Sequence, residues 1–116
     1  LIRQVGSAEI VAQVSLARGL AESTRGTSVT VNSVLVAPTW SEGVETFLGK
    51  IGPEQGKSVA EMRTAYFDGP GRTSLLQRWA MPHEVAAQVV FLCSARAAAI
   101  NGAAQRVDGG IIRSLF

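Results

Sequence analysis

The chain has 116 residues, 47% of them hydrophobic and 17% charged, with twelve Gly, four Pro, one Cys and a net charge of +2. That length holds one domain of modest size and excludes a two-domain enzyme, while the composition excludes a disordered, collagen-like or coiled-coil chain. The basic residues are scattered singly from Arg3 to Arg113, so no nucleic-acid partner is expected, and no apolar stretch reaches the roughly 18 residues of a membrane span.

The first element is a helix predicted over residues 7–26. Ala8, Ile10, Val11, Ala12, Val14, Leu16, Ala17, Leu20 and Ala21 are more apolar residues than one stripe can hold, so the helix is expected to be covered on two sides. Gly26 supplies a left-handed stop. The stretch 27–36, Thr-Ser-Val-Thr-Val-Asn-Ser-Val-Leu-Val, then changes period; it is β-branched and apolar on both faces toward its end, as in a strand inside a parallel sheet. Pro38 ends it.

Residues 39–79 form a Gly- and Pro-punctuated, lid-like excursion with short helical candidates at Ser41–Leu48 and Val59–Phe67 and the breaker cluster Asp68-Gly69-Pro70-Gly71. An excursion of this length is a functional flap or poorly ordered. Pro82 opens a helix predicted over 82–95, with Glu84 complementing the positive helix end and Val85, Ala86, Val89, Val90, Leu92 and Cys93 on the buried face. A buried, inert thiol is expected at Cys93. Asn101-Gly102 marks a turn, residues 103–108 a second strand, and Ile111 begins an apolar tail.

The fold class is therefore α/β: helix, strand, helical excursion, helix, strand, the second half of a doubly wound parallel sheet. Two parallel strands do not make an independently stable sheet, and a strand apolar on both faces leaves one face and one edge uncovered. Completion by missing upstream sequence or by another subunit is expected. The start at Leu1, with neither Met nor a signal-peptide pattern, reads as that of a fragment or a trimmed chain.

Several local patterns carry less than they first suggest. Gly52-Pro-Glu-Gln-Gly56-Lys57-Ser58 resembles a phosphate-binding loop but is one residue short between its glycines and has no preceding strand. Gly69-Pro-Gly71 also lacks a preceding strand. His83 stands alone at a helix start, which excludes a metal site built on it, and Asp108 beside Gly109-Gly110 is a turn residue. Trp40, Phe47, Phe67 and Trp79 either line a pocket or pack a core.

The run Pro82-His-Glu-Val-Ala-Ala-Gln-Val-Val-Phe-Leu-Cys-Ser94, then Asn101-Gly102 and Val107-Asp-Gly-Gly110, resembles the last helix and last strand of the short-chain dehydrogenase/reductase family. Ala17-Arg-Gly-Leu-Ala-Glu22, Val29-Thr-Val-Asn-Ser-Val34 and Pro38-Thr-Trp-Ser-Glu-Gly43 extend the resemblance over nearly the whole chain. The resemblance implies a Rossmann-like fold about twice this length, cytoplasmic and often oligomeric, moving hydride between NAD or NADP and a small alcohol or carbonyl substrate. The family's Gly-rich turn is absent here. Its Tyr and Lys, one helical turn apart, fall on Gly6 and Ile10, and its catalytic Ser falls before Leu1, so no catalytic residue is assigned. Tyr66 has Pro70 four residues on and offers no substitute pair.

What the resemblance retains is the turn after the first strand, whose backbone and hydroxyls hold the nicotinamide amide and nearby phosphate in the family. Here Val36-Ala37 replace the family's Pro-Gly, while Pro38, Thr39 and Ser41 keep their places, so Ala37, Pro38, Thr39 and Ser41 are the candidate cofactor-binding residues. The other reading of Ser41 is a helix cap. At the level of the chain, the expected role is a partial NAD(P)-dependent oxidoreductase, inactive alone; the alternative is a non-catalytic association module that uses the two long helices and the apolar tail.

Overall fold

The computed structural model describes the backbone of residues 2–114 and the side chains of residues 9–114. In chain order it contains α1 (Ile2–Ser23), β1 (Ser33–Val36), α2 (Glu42–Ile51), α3 (Val59–Ala65), α4 (Pro82–Leu92) and β2 (Ala104–Val107), with single 3₁₀ turns at Pro53–Gln55 and Ala95–Ala97. β1 and β2 form a two-stranded sheet. Ser33 N–H donates to Ala103 O at 2.9 Å and Ala37 N–H to Val107 O at 3.4 Å; equal steps along both strands make the pairing parallel. The chain divides into two compact units, one built from the residues up to Leu35 with Ala87–Arg106, the other from Val36–Ala86 with the residues from Val107 onward.

In the first unit, α1 begins at Ile2 rather than at residue 7, because Gly6 and its neighbours continue the helical backbone, and it ends at Ser23. Thr24 Oγ1 donates to Ala21 O at 2.8 Å and Gly26 takes φ +76°, the expected left-handed stop. β1 is shorter than the predicted 27–36. Before it one backbone bond remains, Gly102 N–H to Val31 O at 2.8 Å, and side chains take the other partners: Val31 N–H donates to Asn101 Oδ1 at 2.9 Å, and Asn32 donates through Nδ2 to Ile100 O and accepts Ala103 N–H at Oδ1. Asn101 Nδ2 also donates to Thr24 Oγ1 at 2.9 Å, so one turn ties the end of α1 to the start of the sheet. Gly102 at φ +70° is required there, since a Cβ would stand 2.8 Å from Arg18 Nη1.

The burial of this unit departs from expectation. Of the described α1 side chains only Ala21 is buried, while Val11, Leu16 and Leu20 are more than half exposed. α4 ends at Leu92, not 95, because Ser94 leads into the 3₁₀ turn, and none of its side chains is buried. Cys93 is exposed, which corrects the expectation of a buried thiol; the surface that α4 would pack against is not supplied by the described residues. β2 likewise occupies 104–107 of the predicted 103–108, with Asp108 already committed to the following turn.

In the second unit the excursion is ordered. Ser41 caps α2, and α3 starts with a capping box in which Ser58 Oγ accepts Glu61 N–H at 3.2 Å and Glu61 Oε2 accepts Ser58 N–H at 2.7 Å. The Ser58 N–H first, and then the Ser58 hydroxyl, which donates to Glu61 Oε2 at 2.8 Å, hold the Glu61 carboxyl below its ordinary value. The loop between α2 and α3 is a tight connection in which Gly52 is buried and a Cβ would lie 2.6 Å from Lys57 O. Its glycines therefore serve chain reversal. Ser74, 3% exposed, donates to Gly109 O at 3.2 Å, and the Leu75 and Leu76 N–H groups donate to the same carbonyl at 2.8 and 3.1 Å, pinning the end of the excursion to the turn after β2. Asp108 closes that turn by accepting Gly110 N–H at 2.9 Å. No helix among the described residues is long and apolar enough to cross a membrane.

Candidate functional site

The segment Ala37–Ser41 leaves the C-terminal end of β1, where open α/β sheets place their ligands. Ala80 fixes its path. Its N–H donates to Pro38 O at 2.9 Å, its carbonyl accepts Trp40 N–H at 2.8 Å, and Thr39 and Ala80 form an isolated parallel bridge. Ala80 is 4% exposed and Pro38 is buried, so the backbone here is held on both sides. Ala37 does not take positive φ; Gln77 is the only described non-Gly residue that does. The turn thus accommodates Ala37 where the resemblance implies Gly.

The two hydroxyls of the segment differ. Ser41 Oγ accepts Val44 N–H at 3.3 Å, and Glu42 and Glu45 occupy the first turn of α2, so the cap expected of Ser41 is formed. Thr39 Oγ1 is buried and has no hydrogen-bond partner. A buried hydroxyl without a partner is costly, and such groups mark sites that a missing partner completes. Of the four candidate residues, Thr39 alone carries an unpartnered buried side-chain atom; a cofactor amide or phosphate would meet it only after the segment shifts to uncover Oγ1. Ala37 and Pro38 present backbone and apolar surface.

The aromatic residues of the excursion cluster next to this segment. Trp40 and Trp79 lie edge to face with centroids 5.5 Å apart, and the Tyr66 ring is 4.5 Å from Trp79 and 5.2 Å from Phe67. Trp79 Nε1 donates to Arg63 O at 2.9 Å, and the Arg63 guanidinium sits 4.3 Å from the centroid of the Trp40 ring. Phe47 stays outside the cluster, 59% exposed. Tyr66 and Arg63 were not legible as part of it: one is a lone Tyr, the other one Arg among nine, and the Thr39–Ala80 bridge and the turn at Gly71 together bring the rings into contact. A Cβ on Gly71 would lie 2.4 Å from Tyr66 Cε1.

Arg78 and Glu84 close the unit with a bidentate pair, both N···O distances 2.8 Å, and Glu84 also accepts Met81 N–H at 2.8 Å. Arg78 first, and then the Met81 N–H, pull the Glu84 carboxyl down to about 2. This structural pair gives Glu84 a more specific role than helix-end complementarity.

The positions that the resemblance gives to the family's Tyr and Lys, Gly6 and Ile10, lie on α1. Ile10 is 52% exposed on α1, and Gly6 lies on the same helix with its surroundings outside the described residues. Tyr66 is packed among rings, and His83 is exposed at the start of α4. Among the described residues no group of three or more His, Cys, Asp or Glu could hold a metal ion.

Residues 7–112 match the family model described as enoyl-(acyl carrier protein) reductase. The chain is 53% identical over 104 residues to the Bacillus subtilis protein named uncharacterized oxidoreductase YvrD, covering 90% of this chain and 40% of that protein. It is 44% identical over 110 residues to the uncharacterized oxidoreductase YvaG of the same organism, covering 95% and 42% respectively. Among solved structures it is similar to L-sorbose reductase from Gluconobacter frateurii, complexed with NADPH and L-sorbose, with a TM-score of 0.82 and 25% identity over 90% of this chain and 39% of that one. The chain spans about two fifths of the length of the curated relatives it matches.

Proposed function

The chain belongs to the short-chain dehydrogenase/reductase family, and from that premise we propose that it supplies the nicotinamide edge and the substrate lid of an NAD(P)-dependent oxidoreductase interconverting an alcohol and a carbonyl. The observation that carries this reading is the buried, unpartnered hydroxyl of Thr39, held by the bridge to Ala80 at the end of β1. When bound, the cofactor supplies or accepts the hydride. Once the segment shifts to uncover Oγ1, Thr39 would orient its amide or phosphate, with Ala37 and Pro38 lining the approach and Ser41 serving chiefly as the cap of α2. The aromatic cluster of Trp40, Tyr66, Phe67 and Trp79 would exclude water from the reacting carbon.

Proton transfer falls outside this chain, because Gly6 and Ile10 carry no titratable group at the family's Tyr and Lys positions. The rest of the reaction centre would come from further polypeptide. The test is a chimera in which residues 12–112 replace the matching segment of the YvrD relative. Thr39→Val in that chimera is expected to weaken NADPH or NADH binding about tenfold, as loss of a hydrogen bond to a polar ligand does. Unchanged affinity for both cofactors contradicts the reading.

A second reading, a non-catalytic association module, is favoured by the exposed apolar faces. Val11, Leu16 and Leu20 on α1 and Val89, Val90 and Phe91 on α4 are between 38% and 68% exposed, surface that association would cover. A monomer at micromolar concentration in sedimentation analysis counts against it, and a self-associated chain with no cofactor affinity in the chimera favours it over the first.

A further inference from the structure

The nicotinamide-edge reading leaves unassigned a cleft of about 500 Å³ whose walls include Arg63, Phe67, Asp68, Gln77 and Trp79. Arg63 meets the cluster through its backbone and through its side chain. Its backbone carbonyl accepts the Trp79 indole N–H at 2.9 Å, and its guanidinium carbon lies 4.3 Å from the centroid of the Trp40 ring. Such stacking restricts a long side chain and so lowers the cost of ordering it for a ligand. Yet the guanidinium has no ion-pair partner and none of its N–H donors meets an acceptor among the described residues, whereas the neighbouring Arg78 is saturated by Glu84.

The rest of the wall narrows the chemistry. Gln77 spends its amide N–H₂ on Ser74 O at 2.6 Å and Arg72 O at 3.3 Å, which also fixes its φ of 50° and leaves its carbonyl oxygen as an acceptor. Asp68 adds a carboxylate acceptor, and Trp79 and Phe67 add apolar ring surface. Arg63, Asp68 and Gln77 are exposed, so a ligand can reach them; the stacked guanidinium offers a fork of donors that matches a carboxylate, the acceptors match hydroxyls, and the rings match a carbon chain.

We propose that this cleft holds the carboxylate end of a hydroxylated organic acid on Arg63, so that the substrate of the oxidoreductase is a hydroxy or keto acid. The substrate assignment rests on the nicotinamide-edge reading; binding in the cleft does not. An uncharged polyol would use Asp68, Gln77 and the rings but not the Arg63 fork.

The sequence contains two Trp, and both lie in this aromatic cluster, so tryptophan emission reports on the site directly. The 116-residue chain is titrated at constant ionic strength with D-gluconate and, separately, with sorbitol, its uncharged counterpart. Gluconate is expected to give a saturable change and sorbitol none at equal concentration. Arg63→Gln is expected to raise the half-saturating concentration about tenfold or more, Arg63→Lys to raise it as well because the fork is lost, and Arg72→Gln, outside this wall, to leave it unchanged. Circular dichroism checks each variant's fold, and Arg63→Lys carries the test if Arg63→Gln is unfolded. No saturable response to gluconate, an equal response to sorbitol, or wild-type binding by a folded Arg63 variant overturns the proposal. The titration requires no cofactor. Failure here with a cofactor effect of Thr39→Val in the chimera overturns the cleft alone, and the opposite pair of results overturns the nicotinamide-edge reading alone.

Discussion

Thr39 and Ala80 form a parallel bridge outside the sheet, with the Ala80 N–H donating to Pro38 O and the Ala80 carbonyl accepting Trp40 N–H. Ala80 is 4% exposed, so there is no room for a larger side chain at the point where the candidate segment is held. Ala80→Leu is expected to destabilise the chain by about 1–3 kcal/mol through overpacking, read from the midpoint of urea unfolding. An unchanged midpoint would mean that Ala80 does not fix this backbone.

Asn32 uses both ends of its amide, donating to Ile100 O at 2.9 Å and accepting Ala103 N–H at 3.0 Å. Asn32→Ala leaves a backbone donor and acceptor unpaired in a half-buried setting, and a loss of about 1–3 kcal/mol is expected in thermal or urea unfolding. A smaller loss than that of a surface control would show that water replaces both bonds.

The Arg78–Glu84 pair makes stability depend on pH. The folded carboxyl titrates at about 2, below its ordinary 4.5, so its contribution is complete above the ordinary value and is lost as pH falls from there toward 2. The melting temperature of Glu84→Gln should therefore lie below that of the natural chain at neutral pH, with the gap closing under acid. A gap that is constant or widens with acid contradicts this assignment.

Ser41 separates capping from cofactor contact. Asp caps a helix as well as Ser, so Ser41→Asp should leave stability within about 0.5 kcal/mol, whereas Ser41→Ala should cost about 1 kcal/mol. In the chimera the added negative charge of Ser41→Asp should weaken NAD(P) binding if this hydroxyl lies near a cofactor phosphate. Unchanged binding assigns Ser41 to the cap alone.

Element order and the turns at Gly26, Asn101-Gly102 and Asp108-Gly109 were legible because each rests on local backbone chemistry, and the Ser41 cap was legible for the same reason. The start of β1 was not: Val29 to Val31 have strand-like side chains, but the Val29 N–H turns back to Thr27 Oγ1 and the Val31 N–H goes to the Asn101 side chain. Burial along α4 and at Cys93 was misjudged because periodicity gives the apolar face of a helix and not whether anything covers it. In the candidate site, Thr39 and Ser41 could be placed from the resemblance alone. The unpartnered state of Thr39 Oγ1 and the stacking of Arg63 on Trp40 depend on long-range contacts that no spacing encodes.

In the proposed role these residues position a cofactor and a substrate while the proton-transfer groups lie elsewhere. The most direct measurement is NAD(P)H oxidation by the purified 116-residue chain with a panel of ketones, aldehydes and keto acids. The expected result is no rate above the protein-free control, and saturable turnover of either cofactor by the chain alone would contradict the claim.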